Sequence, residues 1–262
     1  MITYLKKFLL PFALLLALQL GYSQLAFSHE VGVIVGPIAY QSDFGERYDY
    51  DTNSGNVGLG IGLVYYMNFD YLTNYYYYSA NNYFTDHFKV RGEISWNKTS
   101  LDHYGTWVDS KRNSEGADKL RAHSGEAQNW DIGLQLEYYP ISIKAFSQGV
   151  YSFTPFTSFG VHYGFYNPSV STSYGDQNSN NPNNFYPGWE PGSISDKNGS
   201  TWSLVGSVGT RYKLTILSDL MIDLRVQSFF SDFTDGLDHQ LSSNKTNDWL
   251  VWLNFGYIYY FD

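Results

Sequence analysis

The sequence predicts an all-β fold, an eight-stranded antiparallel transmembrane β-barrel with long extracellular loops. Three observations predict it: eight segments in which apolar and polar residues alternate, a chain in which 19% of the residues are aromatic, and a last segment with one continuously apolar face. Aromatic residues are enriched where a transmembrane barrel meets the two membrane interfaces. The mean hydropathy is still negative, as expected when half of each strand faces a polar interior.

Alternation with a period of two defines the eight segments. In the second segment Val57, Leu59 and Ile61 share one face, while Gly58 and Gly60 lie on the other. The connections that follow odd-numbered segments are mostly the longer ones, which is typical of a barrel with both termini in the periplasm. The alternative is a soluble barrel of the lipocalin type, whose apolar face would point inward. We place the segments at approximately 30–40, 56–69, 86–99, 129–139, 152–166, 201–214, 219–230 and 248–261.

The beginning of the chain predicts export. Residues 1–23 are typical of a cleaved signal peptide, because an apolar run follows Lys6 and Lys7 and ends in small residues. The run is too short to be a membrane-spanning helix. Residues 24–262 then form one outer-membrane β-barrel domain, which we expect to be a monomeric barrel. The absence of cysteine from the sequence suits an oxidising periplasm.

The last segment carries four residues at the spacing of an assembly signal, Asn254, Gly256, Tyr259 and Phe261. This pattern resembles the terminal strand that the barrel-assembly machinery of Gram-negative bacteria recognises. The resemblance implies that machinery as a partner during insertion, and outer-membrane lipid as the final surroundings. Nucleic acid is not expected as a partner, because the formal net charge is −9 and no basic patch is present to contact phosphates.

Charged residues on the inner faces of the segments predict a network inside the barrel. An eight-stranded barrel is narrow enough for side chains to fill it, and unpaired charges are costly where little water is present. We therefore expect these charges to pair and plug the lumen, with a narrow ion path or a proton relay as the alternative. The expected lumen charge network comprises Glu30, Lys89, Arg91, Glu93, Asp131, Glu137, Arg211, Asp223 and Arg225.

The sequence predicts no catalytic residue, no cofactor and no metal site. His162 is the one histidine in the middle of a segment, and it shares a face with Ser158, but that face is the predicted lumen. No HExxH, CxxC or clustered histidine spacing is present. The glycines at 58, 60 and 62 are spaced one residue too closely for a dinucleotide-binding loop.

Two predicted connections stand out by composition. Residues 70–85 form an unusually long periplasmic turn that contains Tyr75, Tyr76, Tyr77 and Tyr78. This tyrosine cluster is either an interfacial aromatic cluster or a docking surface for a periplasmic partner. The other connection, 167–200, is rich in Asn, Ser, Gly and Pro, and we expect it to be a polar surface loop.

Three segments near the end of the chain carry a family resemblance: Gly209–Leu214, Asp219–Leu224 and Phe230–Leu237. The chain resembles Bacteroidota outer-membrane β-barrels and, within them, PorG-like barrels associated with type IX secretion. The resemblance implies a non-enzymatic accessory that contacts periplasmic secretion-ring or translocon proteins. The alternative function is a surface-exposed barrel that binds an external ligand or matrix through its long loops. A lipid-active outer-membrane enzyme is a distant third.

Overall fold

The computed structural model describes residues 28–46, 49–69, 83–242 and 247–261. The predicted signal peptide, residues 1–23, and the cluster Tyr75–Tyr78 lie outside the described residues.

Eight long strands pair with their neighbours in antiparallel fashion, and the pairing of the third with the fourth closes the sheet. The predicted eight-stranded antiparallel β-barrel is therefore confirmed. A ninth, short strand, Ser169–Thr172, lies outside the closed ring of eight. It pairs with residues His123–Glu126 at the beginning of the fourth strand. In chain order the strands are β1 Ser28–Gln41, β2 Val57–Asn68, β3 Phe88–Asp102, β4 His123–Tyr138, β5 Phe153–Tyr166, β6 Ser169–Thr172, β7 Gly199–Thr215, β8 Ser218–Phe229 and β9 Trp249–Phe261.

Closure joins the first strand to the last. In this pairing Val31 lies opposite Tyr259, and His29 lies opposite Phe261. Because every long strand has two hydrogen-bonded neighbours, the barrel presents no open sheet edge along its wall, where unsatisfied backbone groups would be exposed.

The two faces of the wall differ as the alternation predicts. Apolar side chains from all eight long strands point outward and form an exposed apolar belt, whereas polar and charged side chains are buried in the lumen. A soluble barrel has the opposite arrangement, so the apolar belt favours lipid surroundings. The belt includes Val33, Leu63, Ile94, Leu134, Phe159, Val208, Leu224 and Phe255.

The lumen is filled by side chains. Apolar residues from β1 and β9, including Ile34, Ile38 and Trp252, are buried beside the charged residues. Gly60 makes room for Trp252, since a Cβ atom at this position would lie 2.4 Å from the indole ring. Small residues on the inner face of β2 therefore allow a large side chain from β9 to cross the lumen.

The connections differ between the two ends of the barrel. The terminus end, where β1 begins and β9 ends, has the connections 69–87, 139–152 and 216–217. The opposite end, called the loop end, carries the connections 42–56, 103–122, 167–198 and 230–248, which together form the loop layer.

Short helices occur at both ends. They are α1 Tyr83–His87, α2 Glu115–Ala122 and α3 Ile143–Ser147. α2 begins where the Ser114 side chain accepts a hydrogen bond from the Ala117 amide. Within the described part of the chain, no helix is sufficiently long and apolar to span a membrane.

The structure differs from the sequence predictions most clearly in the start of β4 and in the character of the 167–200 connection. β4 begins at His123, six residues before the predicted 129, because β6 pairs with its loop-side end from His123 to Glu126. The 167–200 connection is not wholly a solvated loop, because Phe185 is 3% exposed within the loop layer. Its composition is polar, but its few aromatic residues pack against other loops.

Candidate functional site

Eight of the nine predicted lumen charges meet in one buried network in the terminus half of the barrel. Arg91 on β3 is its centre. Its Nη1 lies 2.9 Å from Asp223 Oδ2 and 3.3 Å from Glu137 Oε1, and its Nη2 lies 2.8 Å from Glu93 Oε2. The Arg91 guanidinium thus joins β3, β4 and β8. The barrel is narrow, so side chains from non-neighbouring strands such as β3 and β8 reach each other across the lumen.

Arg211 and Arg225 extend the network. Arg211 Nη1 lies 2.6 Å from Glu30 Oε2, and Glu30 also binds Lys89. Arg225 donates from both Nη atoms to the two oxygens of Glu93, at 2.5 and 2.6 Å. Paired parallel bonds of this kind are the strongest form of an arginine–carboxylate contact.

Further residues complete the network. Asp219 lies 3.2 Å from Lys213 Nζ and also accepts a hydrogen bond from Tyr260. The Arg211 guanidinium carbon lies 4.1 Å from the centre of the Tyr66 ring, a cation–π distance. Asp219 was not identified from the sequence, although it lies four residues before Asp223 on β8 and therefore faces the same side of the strand.

Asp131 is the predicted charge that stands apart. It is buried in the lumen and accepts a hydrogen bond from Gln227 Nε2 at 3.0 Å, but it makes no ion pair with any described residue. The paired network without it contains five carboxylates and five basic side chains. They are Glu30, Glu93, Glu137, Asp219 and Asp223 with Lys89, Arg91, Arg211, Lys213 and Arg225.

His162 and Ser158 are held apart by a shared neighbour. Gln135 lies 3.0 Å from His162 Nε2 and accepts a hydrogen bond from Ser158 Oγ at 2.8 Å. His162 is fully buried in the lumen. Gln135 therefore occupies the position in which a direct nucleophile–base hydrogen bond would form.

The four residues of the predicted assembly signal divide between the two faces of β9. Asn254 and Gly256 face the lumen, and Asn254 Nδ2 donates to Asp223 Oδ1 at 2.9 Å. Tyr259 and Phe261 point outward, with ring centres 5.8 Å apart. The Tyr259 and Phe261 rings lie on the outer wall, where a surrounding molecule can contact them, whereas Asn254 and Gly256 pack inside the lumen.

The loop layer contains a cavity of about 280 Å³ that sequence reasoning did not predict. All four long connections line it. Its polar walls include the carboxylates of Asp43 and Glu46 and the imidazoles of His103 and His239, and among the lining residues that the structure describes there is no Lys or Arg. The aromatic walls are Phe44, Tyr104, Trp107, Tyr186 and Trp189.

Hydrogen bonds fix part of this cavity. Trp107 Nε1 donates to Glu46 Oε1 at 2.7 Å, and the Arg112 guanidinium lies 4.4 Å from the Trp107 ring centre. His103 contacts the Phe44 carbonyl and His123 Nδ1, both at 2.8 Å. Burial lowers the pKa of His103 to about 4, so its imidazole is neutral near pH 7.

An acidic group borders the cavity. One carboxylate oxygen each from Asp43, Asp232 and Asp238 lies within 4.8 Å of the other two. Asp43 comes from the first loop and the other two come from the last, so their proximity arises only when the barrel closes. The sequence carries no local spacing that would have revealed this group.

Comparisons with known proteins find similar folds only. No family model matches the chain, and no curated protein matches it. Solved structures similar to it include a major outer membrane protein from Thermus thermophilus, at 16% identity, with 90% of this chain and 100% of that chain covered and a TM-score of 0.47.

Two other similar structures are surface or outer-membrane proteins of other bacteria. Neisserial surface protein A is 11% identical, with 89% of this chain and 97% of that chain covered and a TM-score of 0.43. The outer membrane protein OprG from Pseudomonas aeruginosa is 15% identical, with 89% of this chain and 94% of that chain covered and a TM-score of 0.38. These similarities are too distant to assign a function.

Proposed function

We propose that the protein is a non-enzymatic β-barrel of the Gram-negative outer membrane that works by contact and not by transport. The filled lumen carries this proposal. Its buried network balances five carboxylates with five basic side chains, and Arg91, Arg211 and Arg225 are fully buried. A polypeptide has no path through such a lumen, so partners must bind at an end of the barrel.

The apolar belt and the terminal strand support the membrane location. Purified protein in mild detergent is expected to run at different apparent masses on a gel before and after boiling, because folded barrels resist the detergent. Deletion of Tyr259–Asp262 is expected to prevent insertion, since it leaves backbone groups of β1 unpaired in lipid. Recovery of the truncated protein in outer membranes at normal levels would contradict this.

The partner class that we propose is the periplasmic machinery of type IX secretion. Support comes from the resemblance of Gly209–Leu214 and Asp219–Leu224, which lie on β7 and β8 and lead to the terminus end. The short turn between them exposes Ile216. This end is also structured, because Asp86 of α1 accepts hydrogen bonds from the Ser142 hydroxyl at 2.8 Å and the Lys144 amide at 3.2 Å.

A deletion strain tests this partner class directly. We expect reduced secretion of type IX cargo, and recovery of ring or translocon proteins with the tagged wild-type barrel. Replacement of Tyr75–Tyr78 by serine is expected to leave the heat-modifiable barrel intact but to release the partner, because aromatic residues are preferred anchors at interfaces. Unchanged secretion of type IX cargo, with no ring or translocon protein recovered, would contradict this proposed partner class.

The loop-layer cavity favours a second candidate, binding of an external ligand or matrix. Its aromatic walls with a few polar groups resemble those of a small-molecule site, and its volume of about 280 Å³ is close to the lower end of the range for such sites. Binding of the purified protein to arrays of glycans and matrix proteins, compared with Trp107→Ala, tests this candidate. Loss of a signal in the variant would support it, whereas equal binding by both proteins would place the contact elsewhere.

A further inference from the structure

The loop layer contains a second cavity, of about 290 Å³, next to the loop-layer cavity. We call it the side cavity. The 167–198 connection supplies its lining, in which Asn180 and Glu190 are polar. Tyr186 and Trp189 line both cavities. These two aromatic side chains therefore form a shared wall between two neighbouring cavities.

The shared wall is held in position by its own packing. The Trp189 and His239 rings are nearly parallel, at 9°, with centres 6.1 Å apart, and the His103 ring centre lies 5.8 Å from that of Trp189. The Tyr186 ring centre lies 6.0 Å from that of Trp189. Gly116 of α2 gives Tyr186 room, since a Cβ atom there would lie 2.9 Å from the ring. A ring that is already fixed loses little conformational freedom when a ligand binds.

Polar groups beside the wall include both donors and acceptors. The Leu241 amide donates to His239 Nδ1 at 3.1 Å, and burial lowers the pKa of His239, so the imidazole is neutral and Nε2 carries the hydrogen. Glu46 accepts from Trp107 through Oε1, which leaves Oε2 as an acceptor. In the side cavity the exposed amide group of Asn180 can donate and accept.

This combination matches the chemistry of a neutral sugar. A pyranose ring has apolar C–H faces that pack on aromatic rings, and hydroxyl groups around its edge that both donate and accept hydrogen bonds. Glu46 lines one cavity and Glu190 the other, and these carboxylates would repel an anionic sugar. An organic cation would use the rings and the acceptors, but the donor on His239 would oppose it.

We propose that the loop layer binds a neutral oligosaccharide, with neighbouring sugar rings in the loop-layer cavity and the side cavity and the shared wall between them. The proposal rests on the second candidate function, binding of an external ligand, and names the chemical class of that ligand. The loop-layer cavity alone is close to the lower end of the size range for small-molecule sites. A ligand of more than one ring therefore extends across Tyr186 and Trp189 into the side cavity.

The experiment uses the full mature chain, purified in detergent, on an array of neutral and sulfated oligosaccharides. The best neutral sugar is then titrated in a calorimeter as its monosaccharide, disaccharide and trisaccharide. We expect neutral sugars to bind, and the disaccharide to bind about tenfold more tightly than the monosaccharide because it contacts both cavities. Equal affinity for the monosaccharide and the longer sugars would overturn the proposal.

Substitutions in the two cavities locate the sugar. Trp189→Ala is expected to weaken binding of every length about tenfold or more. Trp189→Phe keeps a ring in the packed wall and is expected to weaken binding less. Asn180→Ala is expected to weaken disaccharide binding roughly threefold to tenfold through a lost hydrogen bond. Asn183→Ala is the matched control, because Asn183 is an exposed residue of the same loop outside the lining and should bind as the wild type does.

Folding is checked in every variant by gel mobility before and after boiling. Wild-type disaccharide affinity in folded Trp189→Phe and Asn180→Ala would overturn the proposal, because the sugar would then bind elsewhere. Binding of sulfated sugars or tetramethylammonium alone, lost in Trp107→Ala, would overturn the sugar class but keep the external-ligand function. A wild type that binds no array sugar, no matrix protein and no tetramethylammonium would contradict both.

Discussion

The lumen and the loop layer both contain carboxylates that are buried away from water, but the partners of those carboxylates differ between the two regions. In the lumen, Glu93 contacts two guanidinium groups, from Arg91 and Arg225. In the loop layer, Asp235 and Asp248 are equally buried and contact no basic side chain among the described residues. The paired lumen network therefore matches its carboxylates with buried basic side chains, whereas in the loop layer burial raises the pKa of the Asp235 and Asp248 carboxyl groups.

The difference follows from how each region is built. Barrel strands have a fixed register and a period of two, so an inward acid and an inward base keep their positions opposite each other. Contacts such as Arg91 to Asp223 join β3 to β8 across the lumen. Loop residues have no such register, and their positions depend on individual contacts between loops, such as the hydrogen bond from the His239 amide to Asp43 Oδ2. We infer that the lumen is the rigid region and that the loop layer is the one that responds to solution conditions.

The largest expected effect comes from breaking the lumen network at its centre. Arg91→Ala leaves Glu93, Glu137 and Asp223 with one fewer partner each, and we expect the free energy of unfolding to fall by about 3–5 kcal/mol. Urea unfolding of the refolded barrel in lipid vesicles, followed by tryptophan fluorescence, measures this. Arg121→Ala removes a partly exposed loop guanidinium that binds Asp118, and it is expected to change stability far less. Equal losses of unfolding free energy in the two variants would show that the buried arginine of the lumen stabilises the protein no more than the partly exposed arginine of the loop layer.

The next largest loss of unfolding free energy is expected from a change in side-chain packing inside the lumen. In Gly60→Ala the new methyl group would lie 2.4 Å from the Trp252 ring, and we expect a loss of about 1–3 kcal/mol from overpacking. Gly92→Ala on the neighbouring β3 is the control, because its methyl group would meet Leu134 at an ordinary 3.7 Å. The same unfolding assay compares them. A Gly60 variant as stable as the Gly92 variant would mean that Trp252 has room to move.

The barrel could be predicted because its signal is local and repeated. Alternation over ten or more residues in β2, β3 and β8 fixes which side chains face inward, and that face identified Arg91 and Glu93 on β3 and Arg225 on β8. The loop layer could not be predicted in this way, because Asp43 and Asp238 become neighbours only after β1 pairs with β9. The burial of Phe185 could not be predicted either, because this residue lies in an otherwise polar segment whose packing depends on other loops.

The loop layer is expected to respond to pH more strongly than the paired lumen network does. Burial and nearby acids raise the pKa of Asp43 to about 9 from an ordinary value of 3.8. The folded loop layer therefore binds the proton more tightly, so its stabilisation is complete below about pH 4 and is lost as the pH rises toward 9. Hydrogen exchange of the loop around Asp238 is expected to accelerate across this window.

Asp43→Asn imitates the protonated acid and is expected to flatten this pH dependence. Exchange in the centres of β3 and β8 serves as the internal reference and is expected to stay slow throughout. Acceleration in those strands over the same window would show that the lumen and the loop layer open together.

The smallest expected effect tests pairing without burial. Lys98 Nζ lies 2.8 Å from Glu126 Oε2, but the two side chains are 45% and 34% exposed. Exposed pairs of this kind contribute about 0–1 kcal/mol, because solvent screens the attraction and two mobile side chains must be ordered. We therefore expect Lys98→Ala to change the free energy of unfolding by less than about 1 kcal/mol in the assay used for Arg91→Ala. A loss as large as that of Arg91→Ala would show that adjacent opposite charges stabilise this barrel wherever they lie, and that the buried position of the lumen network adds nothing.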